Sequence, residues 1–394
     1  MSLRTTTREE VAVDLRDADT SRLHYIDHLR AALVMLVVVH HIALVYGAGA
    51  PFYYVEPPFT DPTGFRWLLV FVLANQGWFM GAFFLLAGYF TPGAVDRKGS
   101  GAFLRDRLMR LGIPVLVYVF LLNPLAELGV WLMPTELTGL TGSASWSDYS
   151  DMIGLGPLWF VAMLLIFSFG YAGYKSLAAG SGRSPAPMPG YAWIAAFTVA
   201  LAAVSYGWRM IVPLGESVWQ FPTLAYLPQY LSFFVVGALA YRRDWLTTLT
   251  AGKGAIGALL AAAAAVLLFP LAFSGEMFSV EVTEALENAM GDGTWQSAAY
   301  AAWDSSFAVG LVLGLIVAFR AVARRRNVVG SFLAEHSYAV YVLHIPVVVF
   351  GAYLLRSIDM TAIAKTALVS AIVVPVCFVA AFLVRKFPGV SRVL

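Results

Sequence analysis

Ten long apolar stretches constrain this chain more than any other feature. They run roughly over residues 28–47, 67–91, 108–132, 157–178, 191–212, 224–241, 255–273, 298–320, 337–356 and 362–385. Crossing about 30 Å of hydrocarbon takes about 20 mainly apolar residues as a helix. Backbone groups in lipid must be bonded internally, so stretches this long are read as helices. The expected fold is therefore an all-α polytopic membrane protein with ten transmembrane helices. With 59% hydrophobic and only 13% charged residues, the chain lacks the polar surface of a water-facing globule. The sixth stretch is the least regular, because Pro222 and Pro228 interrupt its start.

An even number of spans puts both termini on one side, and Lys and Arg select it. With both termini cytoplasmic, 22 of the 26 basic residues lie on that side, and only Arg66, Arg209, Arg356 and Lys365 do not. The loop after the seventh stretch carries Glu276, Glu281, Glu284, Glu287 and Asp292 without a Lys or Arg. The expected organisation is a polar cytoplasmic tail (1–27), a ten-helix transmembrane domain (28–388) and a short cytoplasmic end (389–394). The first span is expected to be an uncleaved anchor, the location a bacterial-type cytoplasmic (inner) membrane. Residues 180–190 read as a flexible connection, and no internal repeat of the transporter kind is visible. A net charge of +2 gives no argument for nucleic acid.

Ionisable groups within the spans come next, because each is costly in lipid unless it faces a partner or a cavity. Arg30 and His41 are eleven residues apart, which brings them within about 20° of each other around a helix and about 16 Å apart along it. Asp27 shares that face and is three residues from Arg30, within ion-pair range. If the helix enters the bilayer near Arg30, His41 lies close to the midplane. This resembles a reaction channel with an acid–base imidazole at depth. A packed histidine beside an ordinary anchoring pair is the alternative. His40 points elsewhere and is expected to pack.

Arg107 and Arg110, with Arg105 nearby, start the third span, and guanidinium groups suit multidentate phosphate binding. Taken by themselves, they are explained better by positive-inside anchoring. Trp303-Asp304 lies near the outer end of the eighth span. His344 lies deeper in the ninth than His336, and carbonyls freed by Pro346 offer it a structural role. The six histidines and single Cys377 form no metal motif, and neither a phosphate loop nor a hydrolase elbow is present.

Taken together, these residues resemble the acyltransferase 3 family of ten-span membrane acyltransferases over nearly the whole chain. Arg30 and His41 match its arginine-ten residues-histidine signature, and Arg107 and Arg110 its Arg-x-x-Arg pair. Phe83 to Tyr89 match its Phe-Phe-x-x-Ser-Gly-Tyr segment, with Ala87 in place of Ser. The glucan biosynthesis protein C branch is nearest, through Gly88 to Pro92, Asp96 to Gly99, Arg105 to Leu108, Arg110 to Pro114 and Tyr338 to His344. Asp304 stands where that neighbourhood often has Glu.

The resemblance implies O-acyl transfer (groups other than amino-acyl, of acetyl or succinyl type) from cytoplasmic acyl-CoA to a carbohydrate hydroxyl. It implies His41 as general base or acyl carrier, Arg30 at the donor entrance and Asp27 fixing Arg30. Arg107, Arg110 and Arg105 would hold the CoA phosphates. His344, Asp304 and Tyr89 are acceptor-side or supporting candidates. No metal and no permanently bound cofactor are expected, with acyl-CoA as co-substrate. The rival reading is a transporter or exporter of a small organic acid or acylated sugar.

Overall fold

The computed structural model describes residues 23–47, 52–56, 61–177, 182–279 and 282–394. The expected tail over 1–22 lies outside these residues, as do parts of the 48–66 loop and the start of the 180–190 connection. Ten helices are long and apolar enough to cross a membrane. They are α1 (His24–Tyr46), α2 (Pro62–Lys98), α3 (Ser100–Leu132), α4 (Gly156–Leu177), α5 (Tyr191–Arg209), α6 (Leu224–Arg243), α7 (Ala251–Ala272), α8 (Trp295–Val322), α9 (Val328–Leu354) and α10 (Ala362–Arg385). Among the described residues the only β pairing is an isolated bridge between Val218 and Phe221.

The sixth stretch is a helix despite its prolines. A single 3₁₀ turn, Leu224–Tyr226, leads into Leu227–Arg243, with Pro228 in the first turn. There a proline has no helical N–H to lose, so it starts the helix instead of breaking it. The first helix begins at His24, a turn before the expected apolar stretch at 28, so Asp27 and His28 are already helical. His41 lies in the last third of α1.

α1 is the centre of the bundle and packs against α2, α8, α9 and α10. α2 breaks at Gly77–Trp78, and the Gly77 carbonyl accepts a bond from Gln229 Nε2 of α6 at 2.7 Å. Below the break α2 and α6 touch backbone to backbone. A Cβ on Gly88 would meet the Phe234 carbonyl oxygen at 2.1 Å, and one on Gly237 the Leu85 oxygen at 2.0 Å. Glycine is required at both, which explains the Gly88 of the Phe83–Tyr89 segment. At this end Arg242 of α6 binds Asp96 of α2 and donates to the Tyr171 hydroxyl of α4 at 2.9 Å.

α3 is irregular for a visible reason. Pro114 and Pro124 lack the N–H that would bond the carbonyls four residues back, and widened π turns cover Leu108–Gly112 and Tyr118–Leu122. Tyrosines bond the two carbonyls instead. Tyr338 donates to the Arg110 oxygen at 2.9 Å and Tyr149 to the Phe120 oxygen at 2.6 Å. The first bond ties α9 to the arginine pair of α3.

The four basic residues that break the charge asymmetry all hold partners. Arg209 pairs with Asp304, Lys365 with Glu56, Arg66 with the Phe278 carbonyl, and Arg356 with the Tyr353 carbonyl. A cation bonded this way is under less pressure to follow the general asymmetry.

Candidate active site

α1 and α9 lie side by side and bring two imidazoles from distant segments together. His344 Nε2 is 3.2 Å from His41 Nδ1. His41 Nδ1 is also 2.8 Å from the Val37 carbonyl, and His344 Nδ1 is 2.7 Å from the Tyr341 carbonyl. Carbonyl oxygens only accept, so both Nδ1 atoms carry the proton in the neutral pair. His344 then presents its lone pair to the His41 N–H. His41 keeps a lone pair on Nε2, with no proton of its own on that atom. His344 is fully buried, whereas His41 is half-buried. The carbonyl that Pro346 frees is that of Val342, and His344 does not bond it. His40 packs against Phe79, with ring centroids 5.0 Å apart. His336 bonds its own helix at Phe332, 2.8 Å away, and packs against Phe382.

A strap over residues 52–56 covers His41. Phe52 stacks on the imidazole at 5.8 Å. Tyr53 donates to Asn123 Oδ1 at 2.6 Å, the Glu56 N–H bonds the Val45 carbonyl at 3.0 Å, and the Glu56 carboxylate pairs with Lys365. Burial pushes the Glu56 carboxyl above its usual range, and Lys365 pulls it back. Asn123 in turn donates to the Met152 carbonyl at 2.7 Å, which fixes the turn that precedes α4.

From the other end of the bundle a cavity of about 710 Å³ runs toward the histidines. Arg30, Arg107, Arg110, Arg326 and Arg385 line it, with His24, His28, Asp27 and Glu335. Arg30 pairs with Asp27 at 3.1 Å, and Arg385 with Glu335 at 3.2 Å. Farther in, the lining turns apolar, with Val34, Leu86, Ala87, Phe160, Leu164 and Tyr341 among it. His41 and His344 are not part of the lining. Tyr341 is, and its ring lies 5.8 Å from that of His344.

The structure thus gathers Asp27, Arg30, Arg107 and Arg110 into one cavity, and His41 with His344 just beyond it. It does not bring the remaining candidates there. Arg105 is exposed and outside the lining. Tyr89 packs edge-on against Tyr241 at 5.6 Å. Asp304 pairs with Arg209 in a fully buried cluster, where the Tyr226 and Tyr300 rings face the guanidinium at 4.9 and 5.1 Å. Asp304 therefore neutralises a cation and does not orient His41. The sequence reading missed Arg326 and Arg385, whose distance along the chain hides their shared wall. It also missed Tyr338 and Tyr341, whose uses depend on packing against α3 and α4.

The chain matches the model of an acyltransferase domain over residues 23–384. It is similar to glucans biosynthesis protein C of Salmonella heidelberg (strain SL476), with 24% identity over 234 residues, covering 56% of this chain and 58% of that protein. The Salmonella typhi protein of the same name matches to the same extent. The one from Shigella dysenteriae serotype 1 (strain Sd197) is 27% identical over 153 residues, 37% of each chain. The chain thus spans less than two thirds of the length of these relatives.

Proposed function

The chain belongs to the acyltransferase family whose domain it matches over residues 23–384, and from that premise we propose that it moves an acyl group from acyl-CoA to a carbohydrate hydroxyl. It is a multi-pass membrane protein. In this reading the arginine end is cytoplasmic, in the inner membrane of a bacterium. The observation that carries the proposal is a cavity lined by five arginines and by apolar side chains, with Tyr341 of its lining packed on His344 of the His41–His344 pair. Five guanidinium groups at the mouth suit the phosphates of a nucleotide thioester, and the apolar interior suits its pantetheine and acyl end. The acceptor follows from the names of the relatives, which concern glucans.

His41 Nε2 takes the proton of the acceptor hydroxyl as that oxygen attacks the thioester carbonyl. The new C–O bond forms, the C–S bond breaks, and the proton passes from Nε2 to the leaving thiolate. While His41 is cationic, the Val37 carbonyl and the His344 lone pair stabilise its Nδ1–H. Arg107 and Arg110 hold donor phosphates. Arg30, fixed by Asp27, sets the potential at the entrance. The apolar part of the lining limits the water around the thioester.

The test is the purified protein in vesicles with a panel of acyl-CoA thioesters, reading free CoA and acylated glucose oligosaccharide. Acceptor-dependent CoA release is expected. Transport of an organic acid with no CoA released would replace this reading with that of an exporter.

A further inference from the structure

We propose that Tyr341 is a partition between the donor cavity and the catalytic imidazoles, which sets the length of the acyl group and suppresses hydrolysis. The inference deepens the acyl-transfer reading and rests on it. Tyr341 lines the cavity, and the two histidines do not. Its ring lies 5.8 Å from the His344 ring and edge-on to Phe160 at 5.9 Å. Phe160 lines the same cavity, so the two aromatics form its inner wall. The Tyr341 hydroxyl donates to the Pro157 carbonyl at the start of α4, which holds the ring across the gap between α9 and α4. Its own carbonyl accepts from His344 Nδ1 at 2.7 Å. One residue therefore lines the cavity with its ring and, through its backbone carbonyl, holds His344 beside His41. A residue used only for packing has no reason to separate open space from a buried imidazole pair.

With the ring in place, the thioester stops short of His41 until the wall yields. Without it, the thioester reaches the base whether or not acceptor is bound. Cavity water then takes the acceptor's place. Its oxygen bonds the carbonyl carbon, the C–S bond breaks, and His41 carries the proton from water to the thiolate, giving free acid and CoA. Loss of the ring also lengthens the cavity, so longer acyl chains fit. At an apolar wall each methylene changes selectivity about tenfold or more.

The experiment uses the full-length protein in vesicles with acetyl-, butyryl-, hexanoyl- and octanoyl-CoA, with and without glucose oligosaccharide. Tyr341→Ala is expected to raise acceptor-independent CoA release, relative to transfer, about tenfold, and to move the preferred donor to a longer chain. Tyr341→Phe keeps the ring but loses its bond to Pro157, and is expected to fall between wild type and Tyr341→Ala on both readouts, an ordering that general loosening of the site would not give. Phe160→Ala opens the same wall from α4 and tests the idea if Tyr341→Ala does not fold. Wild-type chain-length profile and hydrolysis ratio in the folded openings would overturn the partition while leaving acyl transfer standing. Failure of the wild type to consume any acyl-CoA sinks both.

Discussion

The bundle buries ionisable side chains in two places, and they are built in opposite ways. Arg209 and Asp304 are 0% and 1% exposed, bonded to each other and walled by Tyr226, Tyr300 and Trp303. Tyr226 and Tyr300 bond one another at 2.7 Å, which leaves the ring faces to the cation. The two charges are matched there, while Arg209 Nε and Nη1 face the aromatic walls without an acceptor among the described residues. In the neutral His41–His344 pair the bonding pattern leaves one lone pair unspent on His41 Nε2. A cavity from one end and a strap from the other approach them. A matched pair at depth is costly to break, whereas an unspent lone pair near a cavity can accept a proton. Burial alone does not distinguish the two; a counter-charge in direct contact at one site and a free acceptor lone pair at the other do.

The comparison is broken most directly at His41. His41→Ala is expected to lower acyl transfer by about 10³-fold, within the usual range for a general base. The amount of folded protein and its melting temperature should stay near wild type. Retained transfer, measured per folded molecule, would remove His41 from the chemistry.

Arg209→Met is expected to do the reverse. Asp304 would be left buried and unpaired, which costs about 3–5 kcal/mol. A large fall in the melting temperature should accompany nearly unchanged transfer by the molecules that remain folded. The double change Arg209→Met, Asp304→Leu should recover most of the stability, since it removes both charges. A folded Asp304→Asn that loses transfer would instead return Asp304 to the acceptor side.

Arg107→Ala and Arg110→Ala should each raise KM for the donor about tenfold, the worth of one charge-assisted phosphate contact of about 1.5 kcal/mol, with little change in kcat. A fall in kcat at constant KM would place these guanidinium groups at the reacting carbonyl and away from the phosphates. The smallest effect is expected for Tyr338→Phe. It removes the bond to the Arg110 carbonyl, which Pro114 cannot supply, and should cost about 1 kcal/mol of stability. A melting temperature equal to wild type would show that water replaces the hydroxyl.

The ten helices were legible because lipid leaves the backbone one solution and because their length is written in the run of apolar residues. Even the irregular sixth helix kept its place, since Pro228 falls in a first turn, where it is tolerated. The pairing of Asp27 with Arg30 was equally legible, because residues three apart on a helix are neighbours in any fold. His41 was singled out by its spacing from Arg30, but its partner was not. His344 lies 303 positions away, and no periodicity within α9 reports which helix packs against it. Arg105 shows the opposite error: local spacing groups it with Arg107 and Arg110, yet helix rotation leaves it outside the cavity.

The residues by themselves determined what each segment must be, because propensity, length and solvent act along the chain. Which histidine meets which, which arginines share a wall, and whether Asp304 faces a cation or a substrate were decided only by tertiary packing. The physical reason is that a lone pair or a charge takes its role from what lies within a few ångströms, and here those neighbours come from other helices.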